Sequence, residues 1–239
     1  MQLVFLKLLI RKEGVIYHGG LLRFFHGFRV KETLQAKYHF PVAAHNDGKA
    51  AALAELATGH LKGVTNGAAL VLGSGLGGGI IINGKLFQGS HFQAGELTFL
   101  LPLQMEKLDP SLMQGTTLSA IGLITKVNEI LASLDLKDGL LAFKAINAKK
   151  EAVYPIFETY CRNLAITILN LQTIFDMETF VLGGGISAQS ILIEEVNRQF
   201  DKVHHEIDFI GKIIKRPKIV ACHHNGTNLI GAAYFLKQG

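Results

Sequence analysis

The chain has 239 residues, 49% of them hydrophobic and 18% charged, with a net charge of +5. That suits one large or two modest globular domains with enough apolar side chains for a core, and no low-complexity tract or internal repeat interrupts it. The basic residues are scattered apart from Lys212, Lys215, Arg216 and Lys218, which is not the dense stripe of a nucleic-acid surface, and Cys161 and Cys222 are too few for a disulfide framework and lack metal-ligand spacing, so a reducing cytoplasm is expected.

Met1 to Ile10 is apolar apart from Gln2 and Lys7. It is too short to span a membrane, which takes about 20 apolar residues, and lacks the basic leader and cleavage site of a signal peptide. A buried strand is the ordinary reading. Gly14 to Tyr17 reads as a short strand or turn closed by Gly19-Gly20, Val30 to Tyr38 as a helix, and Pro41 to Ala44 as a buried strand. His45-Asn46-Asp47-Gly48-Lys49 follows, then the Ala- and Leu-rich stretch Ala50 to Ala57, a strong helix former stopped by Thr58-Gly59. Asn46 and Asp47 therefore sit where a strand ends and a helix begins. Either side chain can cap that helix, and two adjacent caps are more than one helix needs.

The stretch Val71 to Lys85 organises the chain. Apolar runs at Ala68–Leu72 and Ile80–Ile82 flank five glycines, and Asn83-Gly84 is a two-residue hairpin turn into Lys85-Leu86-Phe87. The glycines are expected between two strands, their N–H groups bare enough for close approach of a phosphate. Gly73-x-Gly75-x-x-Gly78 also matches the dinucleotide fingerprint, but that motif needs a helix after its turn, and three isoleucines with Asn-Gly make a poor one. The reading is a β-hairpin phosphate loop; the alternative is a hairpin that merely turns tightly.

Gln88 to Gly95 reads as a loop before Glu96-Leu97-Thr98-Phe99. Thr117 to Leu134 is predicted as one helix with Leu118, Ile121, Ile124, Val127 and Leu131 inward, and Tyr154 to Phe175 as another, Pro155 being tolerable near its first turn. Thr179 to Leu182 is a strand and Gly183-Gly184-Gly185 a tight turn. Ser187 is read as the N-cap of the next helix, with Ile193, Val196, Phe200 and Val203 on its apolar face and Glu194–Arg198 as an i,i+4 pair. Lys218 to Ala221 is a last strand and Asn228 to Leu236 a closing helix. Strands alternating with helices, plus one hairpin, predict an α/β domain.

Three signals converge: a glycine hairpin able to hold phosphate, an Asn-Asp pair at a strand–helix junction, and a Gly-Gly-Gly turn able to approach a flat or phosphorylated group. Phosphoryl transfer needs a phosphate cradle, a nucleotide site and a carboxylate that accepts the acceptor hydroxyl's proton.

With these motifs in place, the chain resembles the ROK (repressor, open reading frame, kinase) family of sugar kinases and sugar-responsive repressors. The resemblance runs from Gly14 to the C-terminus. It rests on Gly14-Val15-Ile16-Tyr17-His18-Gly19-Gly20, Pro41-Val42 leading to Asn46-Asp47, and Ala50-Ala51-Ala52-Leu53-Ala54-Glu55. It continues through Gly73-Ser74-Gly75-Leu76-Gly77-Gly78-Gly79, Ala94-Gly95-Glu96, Val181 to Ser187 and Asn228-Leu229-Ile230-Gly231-Ala232-Ala233. It implies the actin-like ATPase (ribonuclease H-like) fold, two α/β lobes around a cleft, with residues 1–45 a remnant of an incomplete N-terminal lobe and 46–239 the C-terminal lobe. It implies ATP-dependent phosphorylation of a hexose or β-glucoside 6-hydroxyl. Asp47 would be the general base, and Asn46, Asp47 and Glu96 would bind the sugar. Gly73, Ser74, Gly75, Gly77 and Gly78 would hold phosphate, and Gly183, Gly184 and Gly185 would line the adenosine. ATP and Mg²⁺ are the implied cofactors, sugar and ATP the partners, with neither nucleic acid nor membrane, and a homodimer stays an open alternative.

The departures are as informative. Phe99 stands where the family has a histidine that binds zinc and reaches the hydroxyls beside the anomeric carbon, and no cysteine occurs from Glu96 to Lys150, so no zinc is expected. Phe99 either relaxes selection for a free anomeric hydroxyl or fills core space. His45 replaces a usual Glu. The family's first phosphate loop, Asp-x-Gly-Gly-Thr, whose aspartate helps hold Mg²⁺, is absent, and Met1 to Lys12 does not resemble the segment expected before Gly14. The resemblance therefore implies an N-terminally shortened chain, with impaired kinase activity, sugar binding without turnover, or a non-functional fragment as the outcomes.

Overall fold

The computed structural model describes residues 3–5, 9–10, 14–17, 23–42, 44–101, 107, 109–223 and 230–234, with 3–5, 9–10 and 23 described by backbone alone. The chain opens with β1 (Leu3–Phe5), β2 (Leu9–Ile10) and β3 (Ile16–Tyr17), the last two paired antiparallel. Helix α1 (Val30–Tyr38) leads to β4 (Ala44–Asn46), which lies parallel to β1. Ile16 and Val30 are buried together, with Phe25, Phe28, Leu34 and Ala44 against them. The strand expected at Pro41–Ala44 thus falls later, because Pro41 has no N–H for a ladder. The expected Gly19-Gly20 closure lies outside the described residues.

Next come α2 (Asp47–Thr58), β5 (Gly67–Leu72), β6 (Leu76–Ile82) and β7 (Lys85–Phe87). Asn83 and Gly84 have φ of 52° and 68°, the doubly left-handed turn that suits a two-residue hairpin. A 3₁₀ turn at Leu97–Phe99 precedes α3 (Gln114–Thr117), α4 (Ala120–Ile130), α5 (Gly139–Asn147) and α6 (Tyr154–Phe175). The chain continues through β8 (Thr179–Gly183), α7 (Ser190–Glu206), α8 (Ile210–Ile213) and β9 (Lys218–Ala221). Residues 230–234 are helical, and the ends of the expected closing helix lie outside the described residues.

The main sheet runs β7-β6-β5-β8-β9, antiparallel across the hairpin and parallel from β5 to β9. Alternation along β5 divides its side chains between two faces. Ala68, Leu70 and Leu72 enter a core with Phe157, Leu164 and Ile168 of α6 and Val196 and Phe200 of α7. Ala69 joins Ile81 and Val181 against Ala51 and Ala52 of α2. Helices therefore cover both faces, as expected of an α/β domain. Among the described residues, no helix is long and apolar enough to cross a membrane.

Four local expectations are corrected. The helix predicted over Thr117–Leu134 is broken, because Ser119 caps a new start by accepting the N–H of Gly122 at 3.0 Å. Of the residues expected inward, Leu118 and Val127 are buried and Ile124 and Leu131 pack against the core, while Ile121 is exposed. Helix α7 begins at Ser190, and the Ser187 hydroxyl instead donates to the carbonyl of Gly184 at 2.8 Å. Arg198 pairs with Glu195 and Glu158 rather than Glu194, because Glu195 and not Glu194 faces the α6 side.

Candidate active site

The site begins where β4 ends. Asn46 is extended (φ −65°, ψ 145°), and its Oδ1 accepts the N–H groups of Gly48 at 2.9 Å and Lys49 at 3.2 Å, so it is the N-cap of α2. Asp47 Oδ1 also accepts from Gly48 N at 2.8 Å. Both residues are buried, and an acidic group in the first turn is favoured by the helix dipole. Capping leaves the Asn46 amide to point elsewhere: Nδ2 donates to Glu96 Oε1 at 3.4 Å, across 50 residues of sequence.

The glycines divide by position. Gly73-Ser74-Gly75 is the turn, closed by Gly73 N–H to Gly75 C=O at 3.0 Å. Gly77, Gly78 and Gly79 lie inside β6 rather than between the strands, and the reason is packing. A Cβ on Gly48 would stand 2.6 Å from Gly78 N, one on Gly78 2.6 Å from the Gly95 carbonyl, and one on Gly79 2.5 Å from the Gly48 carbonyl. Three backbones, those of α2, the hairpin and the 88–95 loop, touch where no side chain fits. At Gly77 a Cβ would lie 3.8 Å from Asp47 Oδ1, so the carboxylate rests against the hairpin.

The second glycine turn sits beside the first. Gly184 has φ of 100°, and a Cβ there would meet the Leu72 carbonyl at 2.1 Å. The N–H of Ala120, at the start of α4, donates to the Gly73 carbonyl at 2.8 Å. Both turns thus lie at the carboxyl ends of the adjacent parallel strands β5 and β8, the edge where open α/β sheets bind ligands. Positions Gly73 and Gly185 face open space, with no atom within 4 Å of an added Cβ.

Charge is concentrated at the α2 end. Burial pushes the Glu96 carboxyl above its ordinary range, the ammonium of Lys49 opposes that, and Asp47 adds to it. Burial pushes Lys49 down, with Glu96 opposing. His45 is pushed down to about 4 by burial and then by Lys49, so it is neutral at pH 7, and its Nδ1 accepts the N–H of Asn46 at 3.0 Å. Lys49 was not singled out in the sequence, although a lysine in the first turn of an Ala-rich helix, at the positive dipole end, is out of place there. Phe99 is 63% exposed and does not fill core space. Among the described residues, no three His, Cys, Asp or Glu side chains cluster to hold a metal ion.

Residues 8–239 match the ROK family. The chain belongs to it. The ROK match starts before Gly14, so part of Met1–Lys12, expected to be unlike the family, falls within it. Among ROK relatives, a β-glucoside kinase of Listeria innocua is 30% identical over 233 residues, which are 95% of this chain and 75% of that protein. The Lmo2764 protein of Listeria monocytogenes superposes with a TM-score of 0.82 at 26% identity, covering 97% of this chain and 77% of that one. A ROK family protein of Streptococcus pneumoniae TIGR4, solved in complex with sucrose, gives 0.80 at 29% identity with the same coverage. The fold is thus the mixed α/β, actin-like fold of ROK sugar kinases, and the chain spans about three quarters of the length of these relatives.

Proposed function

We propose that this ROK protein binds ATP and a hexose or β-glucoside, in the arrangement that passes the γ-phosphoryl group to the sugar 6-hydroxyl. The observation that carries this is the meeting of Asn46, Asp47 and Glu96 against the glycine hairpin. In this reading Asp47 takes the hydroxyl proton, while the Asn46 amide and the Glu96 carboxylate hold ring hydroxyls. The phosphates lie along Gly73-Ser74-Gly75 and the adenosine along Gly183-Gly184-Gly185, where the backbone is bare at Gly73 and Gly185. Gly77 and Gly78 serve by letting the hairpin approach Asp47 and Gly95. Bound ATP supplies the phosphoryl group, with Mg²⁺ as its counter-ion. Residues 1–45 are read as part of the N-terminal lobe and 46–239 as the C-terminal lobe. Phe99 has no hydrogen bond to offer an anomeric hydroxyl, so substituted β-glucosides are read as ligands alongside glucose.

The 239 residues taken alone admit a second reading, sugar binding without turnover. No Asp-x-Gly-Gly-Thr segment occurs in these 239 residues. Phosphoryl transfer depends on positioning and electrostatic stabilisation, and losing one such contact costs about 10²–10³ in rate. A coupled ADP-release assay with glucose and methyl β-glucoside separates the readings. The 239 residues alone are expected to give no measurable turnover, and the same chain preceded by an Asp-x-Gly-Gly-Thr hairpin to give it. In that extended chain Asp47→Asn should lower kcat by about 10²–10⁴ with sugar binding kept. Robust turnover by the 239 residues overturns the binding-only reading, and near wild-type kcat in Asp47→Asn returns Asp47 to a helix-end role.

A further inference from the structure

Lys49 occupies a position that two effects oppose. It stands in the first turn of α2, where the helix dipole disfavours a cation. It is 2% exposed, and lysine is almost never fully buried unless paired. A leucine or methionine of similar length would fit the Ala-rich helix without those costs.

What the ammonium meets explains its presence. Nζ donates to the backbone carbonyl of Phe92, at the tip of the 88–96 loop. Phe92 has φ of 60°, a left-handed conformation that a bulky residue holds only when its surroundings enforce it. Four residues on, the same loop delivers Glu96, whose carboxylate feels Lys49 as its favourable charge partner. Between them Gly95, with φ of 86°, lays its backbone on Gly78. The loop is therefore held at Phe92 by the Lys49 hydrogen bond, at Gly95 by backbone contact and at Glu96 by the Asn46 amide.

We propose that Lys49 is the positioning residue for Glu96: its ammonium anchors the 88–96 loop through the Phe92 carbonyl and so holds the Glu96 carboxyl beside the Asn46 amide. The consequence for sugar rests on the function proposed above; the coupling between Lys49 and Glu96 does not. The charged and polar groups facing Glu96 are Lys49 and Asp47 from α2 and Asn46 from the end of β4. An ionised carboxylate accepts hydroxyl hydrogen bonds at both oxygens, and more strongly than the neutral acid. Without Lys49, burial and Asp47 act on Glu96 unopposed, so its proton is lost at higher pH and sugar binding weakens as pH falls through that higher range.

The test uses the full chain and the variant Lys49→Met, which keeps length and removes charge. Carboxyl NMR should show the Glu96 titration midpoint moving to higher pH, because burial and Asp47 then act on it without an opposing cation. Amide exchange over residues 92–97 should quicken about tenfold or more, as expected on losing a charged hydrogen bond. Calorimetry with methyl β-glucoside should show weaker binding, and Lys49→Met/Glu96→Gln should bind no worse than Glu96→Gln, because both changes act on one group. A purely structural lysine would lower stability without moving the Glu96 midpoint. The reciprocal variant Glu96→Gln covers the case in which Lys49→Met does not fold: loss of the carboxylate should lower the Lys49 midpoint. An unmoved Glu96 midpoint in folded Lys49→Met, or an unmoved Lys49 midpoint in Glu96→Gln, overturns the proposal. Midpoint shifts as expected in a chain that binds neither glucose nor methyl β-glucoside uphold the coupling and overturn the sugar site.

Discussion

Helices α6 and α7 bury Phe157, Leu164, Ile168, Val196 and Phe200 at helical spacing against the sheet, and side chains fill the space between backbones. The junction of α2, the hairpin and the 88–96 loop is built the other way. Its backbones touch at Gly48, Gly78 and Gly95, and the side chains around them, His45, Asp47 and Lys49, are polar and buried. Apolar packing supplies stability and tolerates small changes of shape. Backbone contact and buried polar groups supply geometry and cost stability, which is the arrangement expected where a site must hold its groups in place.

The largest test of that contrast lies in the helix pair. Leu164 is fully buried, and Leu164→Ala should cost about 2–5 kcal/mol in denaturant unfolding while sugar affinity per folded molecule is unchanged. A loss of affinity in the folded fraction would show that the two regions are not separable.

At the junction, pH is the next lever. His45 has its folded pKa depressed to about 4 from 6.5, so the unfolded chain takes up a proton first as pH falls. Its contribution is fully present above pH 6.5 and is lost on the way down to about 4, for a total of about 3 kcal/mol. Urea unfolding of wild type and His45→Asn at pH 7 and pH 4.5 should show most of that acid sensitivity disappearing in the variant. Equal slopes would place the acid sensitivity in other groups.

A smaller stability effect with a larger functional one is expected at Gly48. Alanine there gains helix propensity of about 1 kcal/mol, but its Cβ meets the backbone of Gly78 at 2.6 Å, which cannot rotate away. Overpacking at about 1–3 kcal/mol should win, and the hairpin should shift off Asp47 so that sugar binding is lost. A stabilised Gly48→Ala that still binds sugar would show that the close approach is incidental.

The same contrast decides what could be read in the sequence. Helix α6 matches its expected bounds because an apolar stripe and Pro155 near the first turn mark it. The hairpin was legible from Asn83-Gly84, and the start of α2 from Asn46. Helix α5 was missed although Asp138 caps it, because Leu140 is exposed and the run Gly139-Leu140-Leu141-Ala142-Phe143 shows no clear stripe. At the junction, Asn46 and Asp47 were visible as residues in excess of capping need, and Glu96 only through family resemblance. Its approach to Asn46 across 50 residues is set by topology. The burial of Lys49 follows from where Gly95 meets Gly78, a contact between two backbones that no side-chain pattern announces.

Titration calorimetry of methyl β-glucoside and glucose into wild type, Glu96→Gln and Leu164→Val tests most directly whether the junction is the sugar site. The expected result is saturable binding of both sugars by wild type, unchanged in Leu164→Val and weakened about tenfold or more in Glu96→Gln, in keeping with loss of a charged hydrogen bond. Affinity in Glu96→Gln equal to wild type, or no binding by wild type, would contradict it.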